Sequence, residues 1–379
     1  MRNLLSRKTP FYLYDMGLLR RTALSLAEAC GKYGISARYA MKANNDEPVL
    51  KTISSMGFGA DCVSGNEVKA AVKAGFVPGS ITFAGVGKTD EEIETALDAG
   101  IGAFVVESFQ EMEVIDSIAA SRSLKAPVML RINPGIDAHT HRYITTGLEE
   151  NKFGIPMSDA LEAARKVISL GNLEFKGIQS HIGSQITDCS VFGIQCRVMS
   201  ELADSIESAG IPVRSISLGG GLGIDYNDPD SNAVPDFDSW LGTIAGNLPS
   251  REGRGIQIEP GRSLVGQCGS LCSRVLYVKE GKGRTFLILD AGMNDFIRPA
   301  LYSASHRIEN WSAADRGDAP VRRYDVVGPV CESSDVFGTD VALPESRRGD
   351  LVVIRSAGAY GSVMASRYNL KDLADSLYV

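Results

Sequence analysis

A chain of 379 residues has room for two domains, or for one large barrel with an appendage. With 44% hydrophobic and 22% charged residues, 40 Gly and 15 Pro, it is neither collagen-like nor disordered. The formal charge of -7 comes from 46 acidic and 39 basic side chains scattered along the chain, which leaves nucleic acid without its clustered basic footprint.

The first ten residues lead into no signal-like apolar stretch, and no run of about 18 apolar residues occurs anywhere. The expectation is a cytoplasmic protein with no membrane segment. Residues 7–14 read as a strand ahead of the first helix. From about residue 36 to 261, short β-prone apolar runs alternate with stretches of helical period, the pattern of repeated βα units on a parallel sheet. Eight runs occur, at 38–43, 59–63, 80–84, 103–107, 128–133, 175–181, 215–218 and 255–259. Between them, Thr89-Asp90-Glu91-Glu92 puts acidic residues in a first helical turn, with Ile93, Ala96 and Leu97 following on one face. Residues 158–170 and 191–209 are helical in the same way.

Eight units are the count of a (β/α)8 TIM-type barrel, whose reactive groups stand at the C-terminal strand ends. Those ends carry Lys42, Asp61, Gly85, Glu107, Arg131, His181, the glycines Gly219, Gly220 and Gly221, and Glu259. A doubly wound open sheet is the alternative, because periodicity does not report closure. Past residue 266 the grammar changes to hairpins: 271–278, the turn Glu280-Gly281-Lys282-Gly283, then 285–290, with further strands at 326–330 and 351–356. The expected α/β fold is therefore a barrel over residues 17–265 and a mainly β, sandwich-like or barrel-like domain built from both chain ends, residues 1–16 and 266–379.

Seven cysteines, odd in number and sparse, argue against a disulfide framework. Cys268 and Cys272 are one residue too far apart for the common zinc knuckle, and His139, His141, His181 and His306 supply no pair nearby, so no metal is expected. The run Ala84-Gly85-Val86-Gly87-Lys88-Thr89 lacks the first glycine of a P-loop, because Thr82 occupies that position; it reads as a tight βα turn with Thr89 as a helix cap.

Leu218-Gly219-Gly220-Gly221-Leu222-Gly223 follows the seventh strand, and Glu259-Pro260-Gly261-Arg262 ends the eighth. In a barrel these two loops are the usual phosphate cradle. Lys42 stands at the mouth of the same barrel, which suits a lysine that bonds covalently to a phosphorylated aldehyde cofactor, pyridoxal phosphate. Glu259 then has a task, to face the pyridine nitrogen and keep it protonated.

Tyr39-Ala40-Met41-Lys42-Ala43-Asn44, Gly59-Ala60-Asp61-Cys62-Val63-Ser64-Gly65-Asn66-Glu67, His181-Ile182-Gly183-Ser184, the glycine loop, Glu259-Pro260-Gly261-Arg262, Cys331-Glu332-Ser333 and Gly358-Ala359-Tyr360-Gly361 occur in one order. In these the chain resembles the barrel-type pyridoxal-phosphate decarboxylases of basic amino acids, over nearly its whole length. Arg131-Ile132-Asn133-Pro134, Thr146-Gly147-Leu148, Lys152-Phe153-Gly154, Arg298-Pro299-Ala300-Leu301-Tyr302 and Gly328-Pro329-Val330 are most similar to the branch that acts on diaminopimelate.

The resemblance implies that Lys42 carries the cofactor, His181 stacks on its ring, and Glu259 meets the ring nitrogen. It implies that Ser184, Gly219, Gly220, Gly221, Gly261 and Arg262 hold the phosphate region, with Tyr360 touching the phosphate. Asp61 and Glu67 are implied to lie near the lysine and ring, with Arg131 among the cofactor-binding residues, and Cys331 to be the acid that reprotonates Cα. For the substrate's far end, Arg298 and Tyr302, helped by Arg262, suit a carboxylate, and Glu332 suits an ammonium, with Tyr360 also among the substrate-binding residues. Ornithine decarboxylases typically present Asp after the cysteine, and their substrate has no distal carboxylate. The implied reaction is decarboxylation of meso-2,6-diaminopimelate to L-lysine and CO2, the last step of lysine biosynthesis. The implied assembly is a homodimer in which Cys331 and Glu332 reach the neighbouring subunit's lysine. The alternatives are an ornithine, lysine or arginine decarboxylase on the same scaffold, or a non-catalytic pyridoxal-phosphate-binding regulator.

Overall fold

The computed structural model describes residues 4, 6–136, 152–249, 251–314, 316 and 319–379. The chain divides into two compact units: one of Arg20–Gly223 and Asp236–Gly261, the other of Met1–Leu19, Ile224–Pro235 and Arg262–Val379.

In the first unit eight parallel strands form a ring: Ile35–Ala40, Gly59–Cys62, Ile81–Phe83, Ala103–Val106, Ala126–Asn133, Leu173–Gln179, Ser215–Ser217 and Gly255–Ile258. The eighth pairs with the first, Ile256 opposite Ile35, which closes the barrel and excludes the open doubly wound sheet. These strands are short and nearly all buried (Ala103-Phe104-Val105-Val106 throughout), as expected where both sheet faces are covered and hydrophobicity does not alternate. The observed strands end one to three residues before most of the sequence-expected limits, so Lys42 lies in a 3-10 turn, Met41–Ala43, rather than in the strand itself.

Three successive βα turns use the same helix-starting device. Ser64, Thr89 and Ser108 each accept a hydrogen bond from the backbone N–H three residues on, at Glu67, Glu92 and Glu111. Each glutamate returns a carboxylate oxygen to a backbone N–H at the turn, of Val63 (2.7 Å), Thr89 (3.1 Å) and Glu107 (2.7 Å) respectively. Orphan donors at the helix start are thereby satisfied at both ends.

Lys88, the residue that gave the third loop its P-loop look, is tied inward. Its side chain is 1% exposed and donates to Glu111 Oε1 (2.6 Å) and to the carbonyls of Gly85 (2.7 Å) and Val105 (2.9 Å). Burial pushes the Glu111 carboxyl up, and Lys88 opposes that shift. Lys88→Met should cost about 3–5 kcal/mol, because Glu111 would be left buried and unpaired. Urea denaturation followed by circular dichroism checks this, and pairing the change with Glu111→Leu should recover most of the loss.

The second unit is mainly β. Its sheet runs in the order Ile308–Asn310, Leu351–Ile354, Gly269–Glu280, Thr285–Leu289, Val321–Val327, Val336–Pro344. Gly269–Glu280 and Thr285–Leu289 are the expected antiparallel hairpin. The N-terminal strand joins the same sheet, Phe11–Tyr14 lying antiparallel to Gly269–Glu280 and parallel to the C-terminal Asp375–Tyr378. The expected strand 7–14 shortens to Phe11–Tyr14, with Pro10, which has no N–H to donate, just ahead. Val336–Pro344 was not expected. Asp340 within it has φ +53° and its pairing with Val321–Val327 is irregular, which breaks the alternation a sequence reader looks for.

Candidate functional site

Lys42 is held in place from both sides. Met41 and Ala43 are buried, the Tyr39 hydroxyl donates to Asn44 O (2.8 Å), and Ala40 N–H donates to Pro260 O (3.0 Å). The first strand's end is thus stitched to the loop that follows Glu259. The lysine side chain itself is 41% exposed, and its Nζ lies 3.3 Å from Oδ2 of buried Asp61, at the end of the second strand. The other oxygen, Asp61 Oδ1, is buried without a hydrogen-bond partner. The amine is therefore anchored by one carboxylate yet reachable, as a nucleophile must be.

Glu259 is 6% exposed. Ser217 donates to its Oε1 (2.6 Å) and Gln179 to its Oε2 (2.9 Å), so the carboxylate is aimed by neighbours on the sixth and seventh strands. Burial, with Asp61 adding, pushes its carboxyl upward against those hydrogen bonds and Lys42. Such a group favours a nearby cation in order to stay ionised.

The glycine loop is backbone by necessity. A Cβ on Gly219 (φ +66°) would lie 2.7 Å from His181 Nδ1, and one on Gly220 would lie 2.3 Å from Glu259 O. The loop after the sixth strand docks on it through Ile186 and Leu222, which brings the Ser184 segment alongside. Burial, and then Lys42 and Arg131, hold the His181 imidazole well below its usual pKa, so it is neutral. A neutral, flat imidazole beside the cradle can lie on an aromatic ring without adding a charge.

Arg131, at the end of the fifth strand, donates to Glu107 Oε1 (3.0 Å) and lies 4.6 Å over the Phe153 ring. Glu107 also accepts from Gly85 N (3.1 Å) and Gly154 N (3.0 Å). Sequence reading saw Glu107 only as a polar strand end; its clamp on Arg131 and two loops was not visible. Glu67, expected near the ring, spends one oxygen on Val63 N–H, and burial raises its pKa to about 6.

The second unit gathers its own set. Arg262 and Arg298, 4% and 5% exposed, both donate to the Tyr226 hydroxyl, at 2.5 and 3.3 Å. The Arg262 guanidinium lies 5.0 Å over the Tyr360 ring, and that of Arg298 lies 5.5 Å over Tyr302. Arg298 opens the helix Arg298–Tyr302 and is buried, so it is no surface arginine at a helix end. Tyr360 has φ +55°, a costly backbone for a bulky residue and one that clusters at functional sites. Cys331 is exposed, and the Tyr368 hydroxyl donates to Glu332 (2.5 Å). Tyr226 was not singled out in the sequence; its position shortly after the glycine loop was the available signal. His139, His141 and Thr146-Gly147-Leu148 lie outside the described residues.

A reachable lysine, a facing buried carboxylate and a bare-backbone cradle at the mouth of a closed barrel suit a phosphorylated aldehyde on an aromatic ring. The glycine positions where a Cβ would collide, and the oriented but cation-hungry Glu259, are the features that fit pyridoxal phosphate. The family comparison agrees: residues 17–266 match the pyridoxal-binding domain of the pyridoxal-dependent decarboxylases. A diaminopimelate decarboxylase of Bacteroides thetaiotaomicron is 51% identical over 97% of this chain and 94% of its own length. The crystal structure of the Helicobacter pylori diaminopimelate decarboxylase complexed with L-lysine is 41% identical, with a TM-score of 0.93 over 100% of this chain and 93% of that one. A Vibrio vulnificus lysine/ornithine decarboxylase shares the fold (TM-score 0.85 over 100% of this chain and 96% of that one) at 22% identity. The chain belongs to the pyridoxal-dependent decarboxylases, in the diaminopimelate decarboxylase family.

Proposed function

We propose that the protein decarboxylates meso-2,6-diaminopimelate to L-lysine and CO2, the last step of lysine biosynthesis, with pyridoxal phosphate. The observation that carries the substrate choice is the pair of buried guanidiniums, Arg262 and Arg298, which meet at one tyrosine hydroxyl. A second, distal carboxylate is the chemistry that two such forks accept. Ornithine, lysine and arginine have none.

In this reading Lys42 would hold the cofactor covalently, the glycine loop with Ser184, Gly261, Arg262 and Tyr360 would hold its phosphate, and His181 would lie on its ring. Asp61, Glu67 and Arg131 shape the charge around the lysine. The bound cofactor supplies an electron-accepting ring for the pair released when the Cα–carboxylate bond breaks. Glu259 would keep a proton on the ring nitrogen, and Lys42 would be the amine that holds the group between turnovers. Cys331 Sγ would deliver a proton to Cα, while Glu332 would take the distal ammonium and Arg298 with Tyr302, helped by Arg262, the distal carboxylate.

The test is a comparison of CO2 release from meso-diaminopimelate, L-ornithine, L-lysine and L-arginine by holoenzyme. A preference for the first is expected, and a clear preference for ornithine sinks the assignment. No release from any of them would favour a non-catalytic binder.

We also propose a cytoplasmic homodimer with shared sites. No helix among the described residues is long and apolar enough to cross a membrane, and all seven cysteines are free thiols. Cys331 is the exposed one of the seven, and its backbone N–H donates to Asn369 Oδ1 (3.4 Å), whose chain neighbours Tyr368 and Leu370 are 44% and 95% exposed, apolar groups suited to a second copy. Cys331→Ala should keep bound cofactor and slow turnover by ~10²-fold, as for a lost general acid. Mixing that variant with Lys42→Ala should restore activity, measured by CO2 release, because one site of each mixed dimer would regain both groups.

A further inference from the structure

We propose that Tyr226 is a specificity-determining positioning residue: its hydroxyl oxygen holds the Arg262 and Arg298 guanidiniums together as one receptor, and its hydroxyl proton is turned toward the bound carboxylate. The proposal rests on the substrate reading above and adds a residue to it.

Two buried guanidiniums of like charge repel. Burial pulls the Arg298 pKa down, and Arg262 pulls it in the same direction. Something must offset that. Among the described residues no carboxylate pairs with Arg298; instead the Tyr226 oxygen accepts from Arg298 Nη2 (3.3 Å) and from Arg262 Nη1 (2.5 Å). A phenol oxygen has two acceptor sites, so this arrangement fills both. The remaining hydrogen-bonding capacity is the hydroxyl proton, for which no acceptor is present among the described residues. Arg298 Nε is likewise buried without a partner. An O–H donor and an N–H donor left over beside two guanidiniums are complementary to a carboxylate, which has about four lone-pair sites to fill.

The tyrosine is itself fixed. It lies in the Ile224–Pro235 segment, which is pinned within the second unit by Gln267 Nε2 donating to Asn232 O (2.6 Å) and by Arg355 donating to Asp230 (2.7 Å). Its ring meets that of His306 edge-on, with centroids 4.7 Å apart. His306 Nδ1 lies 3.0 Å from Arg355 O, and burial with the two arginines drives its pKa down to about 3, so it adds no third charge to the receptor.

The experiment uses holoenzyme and Tyr226→Phe, which keeps the ring and its His306 contact. Two probes that release no CO2 separate the ends of the substrate: pimelate, a diacid with no amine, and pentane-1,5-diamine, a diamine with no carboxylate. We expect KM for meso-diaminopimelate and the inhibition constant of pimelate each to rise about tenfold, the loss for one hydrogen bond to a charged group. kcat should change little, and diamine inhibition should be unaltered. In a double-mutant cycle with Arg298→Lys the losses should be non-additive, since the tyrosine acts through that guanidinium. Unchanged pimelate inhibition, additive losses, or equal weakening of the diamine overturns the proposal. A fluorine resonance from 3-fluorotyrosine at position 226 gives a second measurement without deleting the hydroxyl: it should move with pimelate and not with the diamine, and no movement at saturating pimelate also overturns it. Failure of the wild type to decarboxylate meso-diaminopimelate overturns the substrate reading instead, whatever the variant does.

Discussion

Lys42→Ala should abolish turnover and leave no residue carrying the cofactor: borohydride reduction followed by peptide mapping should find the pyridoxyl group on Lys42 of the wild type and nowhere on the variant. The expectation follows from how the amine is presented. The turn that bears it is locked by the Tyr39–Asn44 hydrogen bond and the Ala40–Pro260 stitch, so its position does not depend on the lysine side chain. Deleting the amine should therefore leave the barrel folded, and loss of activity will not report unfolding. A purely electrostatic role, balancing Asp61 at 3.3 Å, would be met by Lys42→Arg, which keeps the charge. A covalent role is not, because a guanidinium stays protonated at working pH and is no nucleophile. Both variants should lose ~10⁴-fold or more in rate, as when a nucleophile is removed from a unit that acts together. Pyridoxyl found on another lysine, or turnover by Lys42→Arg within ~10-fold of wild type, would remove Lys42 from the mechanism.

How much of this was legible in the sequence depends on the range of the interaction involved. The barrel strands were legible because most are nearly continuous buried runs between turn signals, and closure was then suggested by the count of eight. The polar strand ends that face one another around the mouth followed from the fold. What the sequence did not expose is pairing between distant residues. Tyr226 and Arg298 are 72 positions apart, and Lys88 and Glu111 are 23 apart. Nothing in local periodicity distinguishes a lysine tied to two carbonyls from one in solvent. The segment Ile224–Pro235 reads as a continuation of the barrel loop, yet it packs in the other unit, because its anchors, Gln267 and Arg355, come later in the chain. Glu67 shows the converse. Its role as the returning carboxylate of a helix cap is written in Ser64-Gly65-Asn66-Glu67, a local motif overlooked beside the functional one.

Glu259→Gln should separate activity from stability in opposite directions. The substitution keeps the shape and gives Ser217 and Gln179 an amide to bond, so the cofactor should still bind and Lys42 should still carry it. What would be lost is the negative charge proposed to hold a proton on the ring nitrogen, and kcat should fall by ~10³-fold with a smaller change in KM, the signature of an interaction that strengthens only as charge moves. The cofactor-free protein should respond the other way. Burial raises the Glu259 pKa above its unfolded value, with Asp61 adding to the rise, so folding binds a proton there more tightly than the unfolded chain does. Its contribution to stability is complete below the unfolded pKa and is lost as pH rises through the folded one. Above that window the wild type carries a buried carboxylate that Lys42 and Arg38 offset only in part, while glutamine carries none. The melting temperature of the cofactor-free variant should therefore exceed that of the wild type at neutral pH, and the gap should close on acidification. Equal melting temperatures across that range would mean that Glu259 is not strained by its burial; a kcat within ~10-fold of wild type would mean that its charge is not used.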